Sequence, residues 1–257
     1  MSKDHVTRIE DAYRIAKTKR IVGFLIYMFR KRHVAGTKYR SGQVLEPDAP
    51  LRVGRPMRDL LGTVMPGVDA AIEQGYADPD RLAVMGQSYG SYSTLALISQ
   101  TTRFKAAAIT GAVVHPDLVA DYLNAEPDVG NFHTGYYETG QGNMRGTPWD
   151  QPERYLDNSP IFLFDQIETP LLIGEGNKDS FGHNQLPSDA TFAALQRLGK
   201  KVEYRIYQDE GHVLSSKPNV IDFWRRRLDF LAEHLNHATN SQGAVIFDGE
   251  LVKPARN

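Results

Sequence analysis

The 257-residue sequence contains no cysteine. That absence excludes a disulfide framework, a thiolate nucleophile and Cys-type zinc sites together. Long hydrophobic runs are also missing: the longest, Ile21 to Phe29, falls far short of the roughly 20 apolar residues that span a bilayer. No His-Glu-x-x-His pattern suggests a metal, so neither metal nor cofactor is expected. Neither sign of charge dominates, with 30 Lys and Arg against 31 Asp and Glu. A balance of that kind gives no pull toward nucleic acid and makes a membrane partner a poor expectation. No Pro/Ser-rich linker or internal repeat divides the chain, so one large domain is expected rather than two small ones. The N-terminal Met-Ser-Lys-Asp-His lacks the apolar core of a signal peptide, and the expectation is a soluble, cytoplasmic protein acting on a small molecule or peptide.

Charge is nevertheless uneven. Before Glu46 there are eleven Lys and Arg against three Asp and Glu, and Lys17, Lys19, Arg20, Arg30, Lys31 and Arg32 bracket the apolar run. A buried strand or helix with solvated ends accounts for this better than contact with a membrane surface. Val6, Ile9, Tyr13 and Ala16 have helical spacing, and Ile21 to Phe29 reads as a strand. From Arg58 to Glu73, Leu60, Leu61, Val64, Val68 and Ile72 predict a second helix. Strands are expected at Leu82–Met85, Phe104–Ile109, Pro170–Ile173 and Val202–Tyr207, with helices over Ser91–Gln100, around Ala193–Leu198 and from Ile221 to Leu235. This alternation is the rhythm of an α/β fold. Between His115 and Pro160 lies a long stretch rich in Gly, Pro, Asn and aromatics, which reads as a lid or binding loop. Ala244 to Val252 reads as a strand pair about Asp248-Gly249, or as an extension.

The stretch that points to chemistry is Arg81-Leu82-Ala83-Val84-Met85-Gly86-Gln87-Ser88-Tyr89-Gly90. An apolar strand running into Gly-x-Ser-x-Gly and then a helix is how α/β-hydrolases present a nucleophilic serine on a strained turn. Ser88 is therefore the candidate nucleophile, with Gly86 and Gly90 expected to be small so that strand and helix backbones can pass closely. The backbone N–H of Tyr89 follows as one oxyanion donor.

A serine hydroxyl needs an imidazole to take its proton, and the imidazole needs a carboxylate to fix its tautomer. In this fold the chain order is Ser, then Asp or Glu, then His. The strand from Pro170 runs into Gly174-Glu175-Gly176-Asn177-Lys178-Asp179, and the strand from Val202 runs into Gln208-Asp209-Glu210-Gly211-His212. Both deliver polar residues where parallel strands end, the ligand-binding edge of such sheets. Asp179 and His212 are the choices, with Glu175 or Asp209 as alternatives to the first and His183 or His115 as alternatives to the second.

Gly86-Gln87-Ser88-Tyr89-Gly90, Thr169 to Ile173 leading to Gly176-Asn177-Lys178-Asp179, Arg197-Leu198-Gly199-Lys200-Lys201-Val202-Glu203 and Glu210-Gly211-His212 resemble the catalytic domain of the prolyl oligopeptidase family of serine peptidases. Its acylaminoacyl-peptidase-like and dipeptidyl-peptidase-like branches are the most similar. Ala77 to Arg81, Arg103 to Ala107 and the run Trp149 to Pro160 are similar as well. The resemblance covers about Pro50 to Leu235. It implies an α/β-hydrolase fold with a mostly parallel sheet flanked by helices, Ser88 as nucleophile, Asp179 as orienting carboxylate, His212 as general base, no cofactor, and a peptide or small ester as substrate. The chain is accordingly divided into an unmatched segment 1–49, a catalytic domain 50–237 and a tail 238–257.

Three departures accompany the resemblance. No His-Gly-Gly-type loop precedes Pro50, which leaves the second oxyanion donor unassigned. Ser91 stands where the family usually has a further glycine, and no counterpart of the family's β-propeller is present. The family's substrate pocket corresponds to about His115 to Leu123, where Leu118, Val119, Tyr122 and Leu123 either line an apolar pocket or pack as one face of a helix. Serine-type peptidase is the expected activity. A carboxylesterase, or a non-catalytic relative with an incomplete oxyanion hole, is the alternative.

Overall fold

The computed structural model describes residues 57–74, 77–123, 132–180 and 185–235, together with short strands near each end of the chain. The expected helix at Val6–Ala16 lies outside the described residues. Of the expected strand Ile21 to Phe29, only β1, Phe24–Leu25, is described.

Among the described residues, five parallel strands form the central sheet in the order β1-β2-β3-β4-β5. β2 is Ala83–Gln87, β3 Ala106–Thr110, β4 Leu171–Gly176 and β5 Val202–Tyr207. Parallel neighbours require crossovers that bury both faces of the sheet. β3 and β4 are accordingly buried at every position, and the alanines at 106, 107 and 108 let helices approach from either side.

Two apolar layers result. Val84, Ala107, Ile109, Leu171 and Ile173 pack on one face with Leu95 and Leu195. These leucines come from α2, Tyr89–Ile98, and α6, Leu186–Arg197. Outside α2 lies α1, Leu60–Glu73, whose Leu60, Val68 and Ala71 are buried. Ala83, Ala106, Ala108 and Leu172 point to the opposite face and meet Phe223 and Phe230 of α7, Lys217–His234. The period of two along each strand thus sorts residues to opposite layers.

The stretch 115–160 is not the structureless lid that its composition suggests. It holds α3 (Leu118–Leu123), α4 (Phe132–Glu138) and α5 (Pro152–Asp157), and is followed by a 3-10 turn, Pro160–Gln166. Tyr137, Met144 and Tyr155 from this region are fully buried. The tyrosine rings of this region meet edge-on or tilted, with Tyr122 and Tyr155 centroids 5.7 Å apart and Tyr136 and Tyr137 centroids 5.2 Å apart. Aromatic side chains pack best in such offset arrangements, and the helices here are too short to show a helical period in sequence. Near the C-terminus β6 (Ala238–Thr239), β7 (Val245–Phe247) and β8 (Glu250–Leu251) form an antiparallel sheet; the expected turn residues Asp248-Gly249 lie outside the described residues.

The turn between β2 and α2 is where backbone sterics matter most. A Cβ on Gly86 would lie 2.0 Å from the Gly90 carbonyl oxygen and 2.6 Å from Thr94 Oγ1. Gly90 differs from expectation: a Cβ there would meet nothing within 4 Å. The tight approach is therefore of Gly86 onto the backbone of residue 90, while a methyl group at 90 itself would meet no neighbour outside its own helix. Since the obstructing atoms at Gly86 are backbone, α2 would have to back away from β2 to admit a methyl group. Gly86→Ala is expected to destabilise the fold by about 3 kcal/mol or more, read as a lowered midpoint in urea titration.

Candidate active site

Ser88 sits between β2 and α2 with φ 59° and ψ −127°, a region that non-glycine residues adopt only at a cost of order 1–3 kcal/mol. The strain is held by what surrounds it. Ser88 N–H donates to the Thr110 carbonyl at 3.0 Å. Ser91, fully buried, reaches the same carbonyl through Oγ at 2.9 Å. Ser91, which stands where the family usually has a further glycine, is therefore part of the stitching between α2 and β3. Tyr89 opens α2, and at that position its backbone N–H has no carbonyl to bond within the helix.

The other two candidates come together across adjacent loops. After β4, Asn177 N–H donates to the Tyr207 carbonyl at 3.1 Å and Lys178 N–H to the Glu210 carbonyl at 2.8 Å. In return, Asp209 N–H donates to Asn177 Oδ1 at 2.7 Å. This reciprocal bonding binds the 177–179 turn to the 208–212 turn, and Asp179 Oδ2 lies 2.8 Å from His212 Nδ1. Asp179 is fully buried while the His212 side chain keeps 21% of its exposure, so one end of the imidazole is held in the protein and the ring remains reachable.

The His212 loop is fixed from below by Glu210. Its carboxylate accepts Ser215 N–H at 2.7 Å, Ser216 N–H at 3.0 Å and Asn219 Nδ2 at 2.7 Å. These donors, the Ser215 amide foremost, hold the Glu210 carboxyl below the usual carboxylate range. They also place a negative group at the start of α7, where the exposed helix amides favour one. Nothing in the sequence marked Glu210 for this task except its place two residues before His212.

β3 joins the serine and histidine sides. Thr110 receives Ser88, and the next residue, Gly111, has φ +56° and sits directly against the imidazole. A Cβ on Gly111 would come within 2.6 Å of the His212 carbonyl oxygen and 3.3 Å of Nδ1. Both the left-handed backbone and the contact call for glycine. On the opposite layer Arg227 Nη2 donates to Thr110 Oγ1 at 2.7 Å, with its guanidinium 4.4 Å from the Phe223 ring centroid and 4.5 Å from that of Trp224. Burial pulls the Arg227 guanidinium down to about 10, the effect expected when a cation leaves water.

The alternatives fall elsewhere. Asp209 faces solvent and pairs with Lys178 at 2.6 Å. Glu175 is buried but bonded to Ala112, Gly176 and Ser188. His115 Nδ1 accepts Asp117 N–H at 3.1 Å in a local turn, and His183 lies outside the described residues. Of the four pocket candidates, Leu118 is fully buried in the apolar core, so it supports the surface from beneath and cannot touch a substrate. Tyr122 is buried, donates to Glu138 Oε1 at 2.7 Å and meets Trp149 edge-on at 6.0 Å. Val119 is half-buried and Leu123 is 57% exposed, which leaves these two on the outer side of α3.

β1 pairs with β2 in parallel, Leu25 beside Met85, so it ends at the same sheet edge as Ser88. A strand therefore stands on the side of the elbow where the sequence showed no recognisable loop. The residues that follow Leu25 lie outside the described ones. Among the described residues no group of three or more His, Asp or Glu could hold a metal ion, and no helix is long and apolar enough to cross a membrane.

Comparison with known proteins agrees with this geometry. The prolyl oligopeptidase family profile matches residues 59–238. Dipeptidyl aminopeptidase BIII of Pseudoxanthomonas mexicana is 31% identical over 183 residues, which cover 71% of this chain and 25% of that protein. Acylamino-acid-releasing enzyme of Arabidopsis thaliana is 30% identical over 151 residues, 57% of this chain and 19% of that protein. Among solved structures, a puromycin-hydrolyzing peptidase of Mycobacterium tuberculosis superposes with a TM-score of 0.60 at 25% identity, covering 68% of this chain and 25% of that one. The chain thus spans a quarter or less of the length of these relatives. With an α/β-hydrolase sheet, a strained serine at its edge and a family profile that runs from α1 to the end of α7, the chain belongs to the prolyl oligopeptidase family.

Proposed function

We propose that this chain is a serine peptidase that cleaves peptide bonds through an acyl-enzyme, with Ser88 as nucleophile, His212 as general base and Asp179 as its orienting carboxylate. The observation that carries the reading is the 2.8 Å bond between His212 Nδ1 and buried Asp179, at the edge where Ser88 is held at φ 59°. With Asp179 accepting from Nδ1–H, the imidazole presents Nε2 as a base. His212 takes the Ser88 proton as Oγ attacks the substrate carbonyl and returns it to the leaving amine. It then takes a proton from water as the water oxygen attacks the acyl-enzyme, and Ser88 regains its proton when the ester bond breaks. The Tyr89 N–H donates to the developing oxyanion.

Peptide and acyl-amide substrates follow from the relatives' names, a dipeptidyl aminopeptidase and an acylamino-acid-releasing enzyme. Val119 and Leu123 are the two candidate pocket residues with exposed surface, and an apolar side chain is the group they suit. Treatment with a fluorophosphonate probe, with the adduct mapped by mass spectrometry, tests the reading. Labelling at Ser88 is expected, with His212→Ala slowing it by at least about a hundredfold, the lower range of general-base contributions. Absence of labelling in a folded sample overturns the proposal in favour of a non-catalytic relative. Parallel turnover of acyl-peptide and p-nitrophenyl ester substrates then separates peptidase from esterase.

A further inference from the structure

Glu175 lies at the end of β4 on a position that the strand's alternation assigns to the apolar layer. Ile173 and Leu171, two and four residues before it, are core residues of the α2 and α6 face. Glu175 instead carries a carboxyl into full burial, which is costly unless every oxygen is satisfied. Its oxygens are satisfied by two remote pieces of chain and by the next residue of its own strand. Oε2 accepts Ala112 N–H at 3.0 Å and Ser188 Oγ–H at 2.6 Å, and Oε1 accepts Gly176 N–H at 3.2 Å.

Each partner leads to the candidate active site. Ala112 directly follows Gly111, the residue on which the His212 imidazole rests. Gly176 closes β4 and accepts the Asp179 N–H on its carbonyl at 3.2 Å. Ser188 is in the first turn of α6, the helix that follows the Asp179 loop. A single buried carboxyl therefore ties the seat of the imidazole to the strand that delivers its partner.

We infer that Glu175 is a positioning residue for the serine hydrolase reaction, holding the Gly111–Ala112 turn beneath His212 while Asp179 holds the ring from the side. The inference rests on the reading of Ser88, Asp179 and His212 given above. Burial, aided by repulsion from Asp179, pushes the Glu175 carboxyl up to about 7, against the pull of its three hydrogen-bond donors. Other titratable or charged groups in this neighbourhood are Tyr204 on β5, which donates to Asp189 on α6 at 2.8 Å, Glu210 before α7 with its own set of donors, and Arg227 on α7, directed at Thr110. Replacing Glu175 by an amide sets an NH2 against one of the three donors that point at its two oxygens.

The test compares wild type with Glu175→Gln and Ser188→Ala in two readouts: the rate of fluorophosphonate labelling at Ser88, and the low-field proton NMR resonance of the His212 Nδ1–H. Glu175→Gln is expected to label at least about tenfold more slowly, with the Nδ1–H resonance broadened. Ser188→Ala, which keeps the carboxyl and removes one anchor, is expected to show a smaller slowing and partial broadening. A folded Glu175→Gln protein with wild-type rate and resonance overturns the inference, as does slowing with the resonance intact. If Glu175→Gln does not fold, as judged by circular dichroism, Ser188→Ala decides by the same readouts: partial broadening supports the inference, and a wild-type resonance and rate overturn it. If the wild type itself does not label, the proposed activity fails, and the resonance comparison alone supports or overturns the positioning role.

Discussion

Ser88→Ala is expected to lower turnover of any substrate the protein cleaves by about a millionfold, close to 8 kcal/mol of transition-state stabilisation at 1.36 kcal/mol per tenfold. The loss falls on kcat, because the hydroxyl makes its bond to the substrate only during reaction, and KM is expected to change little. Stability is expected to hold within about 1 kcal/mol. The serine occupies the cap position of α2, yet its side chain makes no capping hydrogen bond there. Alanine also adopts the same unfavourable φ at a similar cost. Steady-state kinetics beside a thermal melt check both halves: a variant with retained activity removes Ser88 from the mechanism, and one that melts far below wild type assigns the hydroxyl a structural part.

Asp179→Asn is expected to lower kcat by about 10⁴-fold while the protein remains folded. Asparagine matches the shape of aspartate, but its NH2 can face Nδ1 only if that nitrogen accepts. The ring proton then sits on Nε2, and the base that should take the serine proton is already protonated. The substitution also removes the charge that helps to push up Glu175, so Glu175 ionises at lower pH in the variant. Asp179→Asn should therefore show little loss of stability at neutral pH despite the full burial of the side chain. Measuring kcat with an acyl-peptide substrate, alongside urea midpoints at pH 6 and pH 8, checks the prediction. A fall of less than tenfold in kcat would mean that His212 finds its orientation without Asp179.

The legible part of this chain was its strongly local part. The strand-turn-helix around Ser88 could be read because an apolar run, two glycines and a serine at fixed spacing specify a turn with few alternatives. β5 was read to its ends as Val202–Tyr207 because period-two patterning and a Gly-Lys-Lys approach bound it. β4, by contrast, extends to Gly176, three residues beyond the apolar run. Gly174, Glu175 and Gly176 look like loop residues, and only pairing with β3 and β5 makes them strand. The same override hid the helices between 118 and 157, whose short lengths leave no period to detect and whose order comes from buried tyrosines packing on one another.

By itself the sequence determined the identity of the nucleophile candidate, the order of the candidate catalytic residues along the chain and the α/β rhythm that brings strand ends to one edge. These follow from spacing, which is covalent and local. Tertiary structure decided which carboxylate meets which histidine. Asp179, Glu175 and Asp209 are equivalent as letters, but the reciprocal bonding of two loops puts Asp179 against His212, leaves Asp209 in solvent and seals Glu175 beneath them. It also turned Gly111 and Ser91 from unremarkable residues into the contacts that seat His212 and Ser88. Such assignments depend on distances between segments remote along the chain, and those distances are set only when the two apolar layers close on the sheet.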